Sequence, residues 1–77
     1  MNPIKELILQ SGKTVVDVSR EVGISKQTLH SLIKGVQKNP RMTTIYQLSV
    51  YFKIDSTELY NRYMTFIQQE NTSNYSA

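Results

Sequence analysis

Residues 15–34 read VVDVSREVGISKQTLHSLIK. Val15, Val18 and Val22 mark the apolar side of a short helix that opens after Thr14. Gly23 then supplies the positive φ that a sharp turn needs. A second helix follows Ser25. Leu29, Leu32 and Ile33 share one face of it, while Lys26, His30 and Lys34 recur every fourth residue on the opposite face, beside Gln27 and Ser31. Valine is a weak helix former, so the first of the pair depends on tertiary packing. No acidic residue lies between Glu21 and Asp55, whereas Lys26, Lys34, Lys38, Arg41 and Lys53 all do. An acid-free window around a cationic helix face favours a polyanionic partner.

The same punctuation extends outward. Asn2 before Pro3 is an N-cap with proline at the first helical position, and that helix is expected to run to about Gln10 with Ile4, Leu7 and Ile8 on one face. Gly12 stops it. Thr14 and Asp17 form a capping-box-like pair. Gly35 ends the third helix, and residues 36–41 form a polar loop containing Pro40. A fourth helix over about residues 42–52 is expected to bury Met42, Ile45, Leu48 and Phe52. Asp55 and Glu58 open a fifth, which carries Leu59, Tyr60, Tyr63, Met64, Phe66 and Ile67 and should fade near Gln69. The last stretch, NTSNYSA, is polar and expected to be a disordered tail. The expectation is a compact all-α domain of five helices over residues 1–70, with the two-helix unit at 15–34 and a tail at 71–77.

Seventy-seven residues make one domain, and a core of that size supplies only about 3–5 kcal/mol. Without cysteine, neither a disulfide nor a thiolate metal site can reinforce it. Oligomerisation is the remaining usual reinforcement. One histidine and six carboxylates offer no acid–base or metal constellation, so no enzyme, cofactor or metal is expected. Lys5 and Glu6 precede any long apolar run, and no run approaches the ~20 residues that span a bilayer. The expectation is a cytoplasmic protein with no membrane partner.

Two short helices about a glycine turn, the second with a cationic face, are the pattern of a helix-turn-helix, whose second helix enters the DNA major groove. In detail the chain resembles the lambda-repressor-like helix-turn-helix family, which includes short phage repressors and Cro proteins. Val18, Gly23, Ile24, Leu29 and Leu32 match that family's structural positions. Gly35 and Pro40 bracket the loop after the recognition helix, and residues 54–59, IDSTEL, match the opening of its fifth helix. The match covers about residues 4–60. There are departures. Val15 stands where the family often has a phosphate-reaching glutamine, and Ser19 where alanine is usual. Ile8 and Ile33 stand where many members pair arginine with glutamate, an exchange of ion pair for apolar contact that is physically reasonable. Lys53 replaces a common glycine, at a cost if its φ is positive.

Lysine suits guanine O6 and N7, glutamine can bond adenine bidentately, and serine is permissive. Lys26, Gln27, His30 and Ser31 are therefore the candidate base contacts; the resemblance favours Lys26 and Gln27, then Ser31. An ordinary solvated helix face is the alternative. Thr14, with the free N–H groups opening its helix, and Thr28, Lys34 and Lys38 are the candidate phosphate contacts. Arg41 resembles an arginine that some phage repressors push toward the minor groove; a solvated loop arginine is its alternative. Gln37 could reach a base or a phosphate from the loop.

The fifth helix carries more apolar surface than one helix of a small domain usually buries. Tyr60, Tyr63, Phe66 and Ile67 are the expected homodimer contact, the alternative being that they cover the first and fourth helices. The resemblance implies sequence-specific binding of double-stranded DNA, and repression of a bacterial or phage promoter by operator occupancy. Control would come through concentration, proteolysis or a protein regulator. The Val15 departure leaves open a second class, a protein-interaction module without DNA affinity.

Overall fold

The computed structural model describes the backbone of residues 1–76 and the side chains of residues 1–69. Five helices follow in order: α1 (Pro3–Ser11), α2 (Val15–Val22), α3 (Lys26–Lys34), α4 (Met42–Phe52) and α5 (Ser56–Ser76). There is no strand among the described residues, and the fold is all-α. The caps explain most boundaries. Asn2 Oδ1 accepts from the Ile4 and Lys5 amides at 2.9 and 3.2 Å. Thr14, Ser25 and Asp55 accept the amides of Asp17, Thr28 and Glu58 in the same way. Only half of the expected Thr14–Asp17 box forms, because the Asp17 carboxylate pairs with Arg20 at 2.9 Å.

At the turn between α2 and α3, the Gly23 and Ile24 amides both return to the Ser19 carbonyl, with Gly23 at φ 90°. Lys53 ends α4 at φ 58°, so the left-handed position that the sequence flagged does carry a side chain.

Ile4, Ile8, Val18, Leu29, Leu32, Ile45, Leu48, Leu59, Tyr63 and Ile67 form the core. Ile33 and Phe52 are half-buried against it. Helix α5 packs on α4 and α1, and α3 is held between α2 and α1. No helix is long and apolar enough to cross a membrane among the described residues.

Three expectations need correction. Met42 is not core but 53 % exposed, since it is the first residue of α4, one turn before the buried row that begins at Ile45. Tyr63 and Ile67 are core residues, 0 % and 3 % exposed, so they cannot form a dimer surface without opening the monomer. Tyr60 and Phe66 are half-buried. The helical backbone of α5 also runs past the expected end near Gln69 to Ser76. No glycine or proline follows Gln69 to stop it. The tail expected at 71–77 lies outside the residues whose side chains are described.

Candidate nucleic-acid interface

Ser25 sets the start of α3. Its hydroxyl oxygen accepts the Thr28 amide at 3.1 Å while its proton goes to Thr28 Oγ1 at 2.8 Å. Thr28 therefore keeps its own O–H for an outside acceptor. Leu29 and Leu32 bury the inner side of the helix. Outward, Gln27, His30, Ser31 and Lys34 line one shallow depression together with Val36. Lys26, Gln27, His30 and Lys34 are exposed and Ser31 is half-buried. The i, i+4 spacing thus brings Gln27, His30 and Ser31 of the expected base-reading set onto one surface with Lys34, while Lys26 is exposed but outside that depression.

Hydrogen bonding refines the roles. Ser31 Oγ donates to the Gln27 carbonyl at 2.9 Å, which leaves it acceptor capacity and commits its proton. It suits a base-edge amino group better than a carbonyl. Lys38 Nζ turns back to the Gly35 carbonyl at 3.2 Å, favourable at a helix C-terminus. Gln37 Oε1 accepts the Asn39 amide at 3.3 Å, which commits one acceptor site of the side chain and leaves its NH2 free to donate. No side-chain hydrogen bond or ion pair holds Lys26, Gln27, His30, Lys34 or Arg41 among the described residues.

A second depression is lined by Thr28, Leu32, Gln37, Arg41 and Thr44. It joins the start of α3 to the loop and the first turn of α4. Arg41 is exposed at the N-cap of α4 with no side-chain cap bond. Thr14 is exposed at the start of α2, its oxygen engaged by Asp17 N and its proton free to donate.

The Glu21 carboxylate on α2 is paired. Glu21 Oε1 accepts from Lys13 Nζ at 2.6 Å and from the Tyr51 hydroxyl at 2.5 Å. The hydrogen bond to Lys13, reinforced by Tyr51, holds the Glu21 carboxyl below its usual range. The same bond to Glu21 holds Lys13 above its usual range. Glu21 therefore adds little repulsion toward a polyanion. No cluster of three metal-ligating side chains occurs among the described residues.

Three features escaped the sequence reading. Val36, 62 % exposed, completes the depression on α3 and has the apolar surface that a thymine methyl would need. Its place in the acid-free loop was the available signal. Asn2 does more than cap α1: its side-chain nitrogen donates to the Leu32 and Ile33 carbonyls at 2.7 and 2.9 Å, holding the end of α3. The Tyr63 hydroxyl donates to the Gln37 carbonyl at 2.7 Å, tying α5 to the loop. Neither contact has a signature in local spacing.

Residues 4–59 match the model of the helix-turn-helix family. Neither the curated proteins nor the solved structures return a match.

Proposed function

The chain belongs to the lambda-repressor-like helix-turn-helix family, a family of DNA-binding regulators, and from that premise we propose that it represses a bacterial or phage promoter by occupying an operator. The observation that carries this reading is the free polar face of α3, with Gln27, His30, Ser31 and Lys34 on one surface in an acid-free window. In this reading α3 lies in the major groove. Lys26, Gln27, His30 and Ser31 meet base edges, and Thr14, Thr28 and Lys34 meet phosphates. Lys38 joins the phosphate set by leaving the Gly35 carbonyl. Gln37 and Arg41 serve the adjoining groove from the loop. The protein acts in the cytoplasm, needs no cofactor, and takes any control from concentration or a protein regulator. Selection of bound sequences from random duplexes tests it. A single enriched motif is expected; no enrichment over input would overturn it.

One helix-turn-helix reads too few base pairs to select a site in a genome, so the reading includes a homodimer on half-sites about 34 Å apart. Half-buried Tyr60 and Phe66 remain available to it on α5. A larger exposed apolar set lies on α4, where Met42, Tyr46 and Val50 recur every fourth residue at 53, 61 and 59 % exposure. Helix α4 carries no charged side chain, so two copies of a +3 protein can approach there without added repulsion. We place the main contact on that stripe. Tyr46→Glu should abolish cooperative binding to a two-half-site duplex and leave half-site affinity within about twofold, as a gel shift would show. Unchanged cooperativity would remove α4 from the contact. The same stripe is the observation that favours the second reading, a protein-interaction module, in which Tyr46→Glu abolishes partner capture and no duplex is enriched.

A further inference from the structure

We propose that Tyr63 is a positioning residue for DNA recognition, fixing the loop at residues 36–41 through its hydroxyl so that Gln37 and Arg41 are presented to the duplex. The proposal rests on the DNA-binding reading above and adds to it a residue buried in the core.

The geometry of α5 carries it. The Tyr63 ring is wholly buried, which leaves its hydroxyl no choice of partner other than the Gln37 carbonyl 2.7 Å away. One helical turn on, Phe66 and Ile67 seat the residue that ends α3. A Cβ placed on Gly35 would lie 2.8 Å from Phe66 Cε2 and 3.8 Å from Ile67 Cδ1. A side chain at position 35 is therefore disfavoured twice over, by the φ of 72° and by the ring that would have to move. Elsewhere the loop is held by backbone bonds to the last turn of α3 and by the burial of Pro40. The Val36 and Gln37 amides return to the Ser31 carbonyl at 3.1 and 3.3 Å, and the Asn39 amide to Gln37 Oε1. No other hydrogen bond reaches the Gln37 carbonyl among the described residues. Releasing the Tyr63 hydroxyl frees the peptide that aims the Gln37 side chain and precedes Arg41. Burial also keeps the hydroxyl protonated, and hence a donor, throughout the neutral range.

Tyr63→Phe tests this, since it keeps the ring in the core and removes only the hydroxyl. The full chain is titrated against its selected duplex and against each single-base-pair variant. Gln37→Ala and Arg41→Ala mark the base pairs that depend on the loop, and Gln27→Ala marks one that depends on α3. Tyr63→Phe is expected to lose about twofold to tenfold of discrimination at the loop-dependent pairs, the worth of one hydrogen bond. It should keep discrimination at the Gln27 pair. A double-mutant cycle with Arg41→Ala guards against a general loss of fold. Once Arg41 is gone, the effect of Tyr63→Phe at the loop-dependent pairs should largely vanish. Equal losses at every pair, or additive effects in the cycle, would overturn the proposal while leaving the DNA-binding reading standing. A wild-type protein that prefers no duplex would overturn that reading itself.

Discussion

Replacing Asn2 distinguishes a cap from a clasp. Its side chain makes four hydrogen bonds at 4 % exposure: two accepted from the Ile4 and Lys5 amides and two donated to the Leu32 and Ile33 carbonyls. Losing the cap costs about 1 kcal/mol. Each donated bond is worth about 0.5–1.5 kcal/mol, with Leu32 at the low end because its carbonyl also accepts the Gly35 amide. Asn2→Ala should therefore cost about 2–4 kcal/mol, comparable to the ~3–5 kcal/mol that holds so small a domain. Aspartate is the decisive variant. As a cap it equals asparagine, so a residue that only caps would tolerate it. Here Asn2→Asp removes both donors and sets a carboxylate against carbonyls at the negative end of α3. It should be at least as damaging as alanine. Asn2→Ser, which can still cap, should be the mildest of the three. Urea unfolding followed by circular dichroism gives the order directly, with unchanged slopes confirming a common unfolded state. An aspartate variant as stable as wild type would refute the clasp between α1 and α3.

Three further outcomes are expected. Gln27→Ala should cost about 1–3 kcal/mol on the preferred site and relax choice at one base pair, whereas Lys34→Ala should weaken all sequences alike and lower the salt slope by about one per contact; titrations at several salt concentrations separate the two, and identical behaviour would remove the distinction between base and backbone roles. Lys53→Gly should stabilise the fold by about 0.5–1 kcal/mol, because φ 58° at the end of α4 strains any residue with a Cβ, and an unchanged or lowered Tm would contradict it. Burial pushes the Tyr63 hydroxyl from 10.0 up to about 12, so above pH 10 the unfolded chain loses this proton while the folded chain keeps it. Stability therefore falls as pH rises through that window, by at most about 1.4 kcal/mol per pH unit, and the advantage of wild type over Tyr63→Phe should shrink there; a gap independent of pH would contradict it.

What the sequence disclosed follows from what is local. The caps at Asn2, Thr14, Ser25 and Asp55 and the turn glycine at Gly23 are short-range devices whose partners lie within a few residues. The polar face of α3 is equally legible, because helical period alone decides which residues share it. Met42 misled because the period was extended to the first position of α4, where the core no longer follows the helix. Tyr63 and Ile67 misled for another reason. An aromatic-rich helix reads the same whether its stripe meets a second copy or its own α1 and α4, and only packing decides. The clasp from Asn2 and the tie from Tyr63 connect residues 30 and 26 apart, side chain to backbone, and leave no trace in spacing. Both act on α3 or the loop after it. The part of the interface least visible in the sequence is therefore the part that aims it.

The central claim, that the free face of α3 and the loop behind it read DNA, is most directly tested by backbone amide NMR shifts on titrating the full chain with its selected duplex. The account predicts shifts concentrated at the start of α2 around Thr14, along Lys26–Lys34, and through residues 35–41, with the exposed side of α5 at Asn61 and Thr65 unmoved. Shifts centred on Met42, Tyr46 and Val50 with α3 unaffected would contradict it.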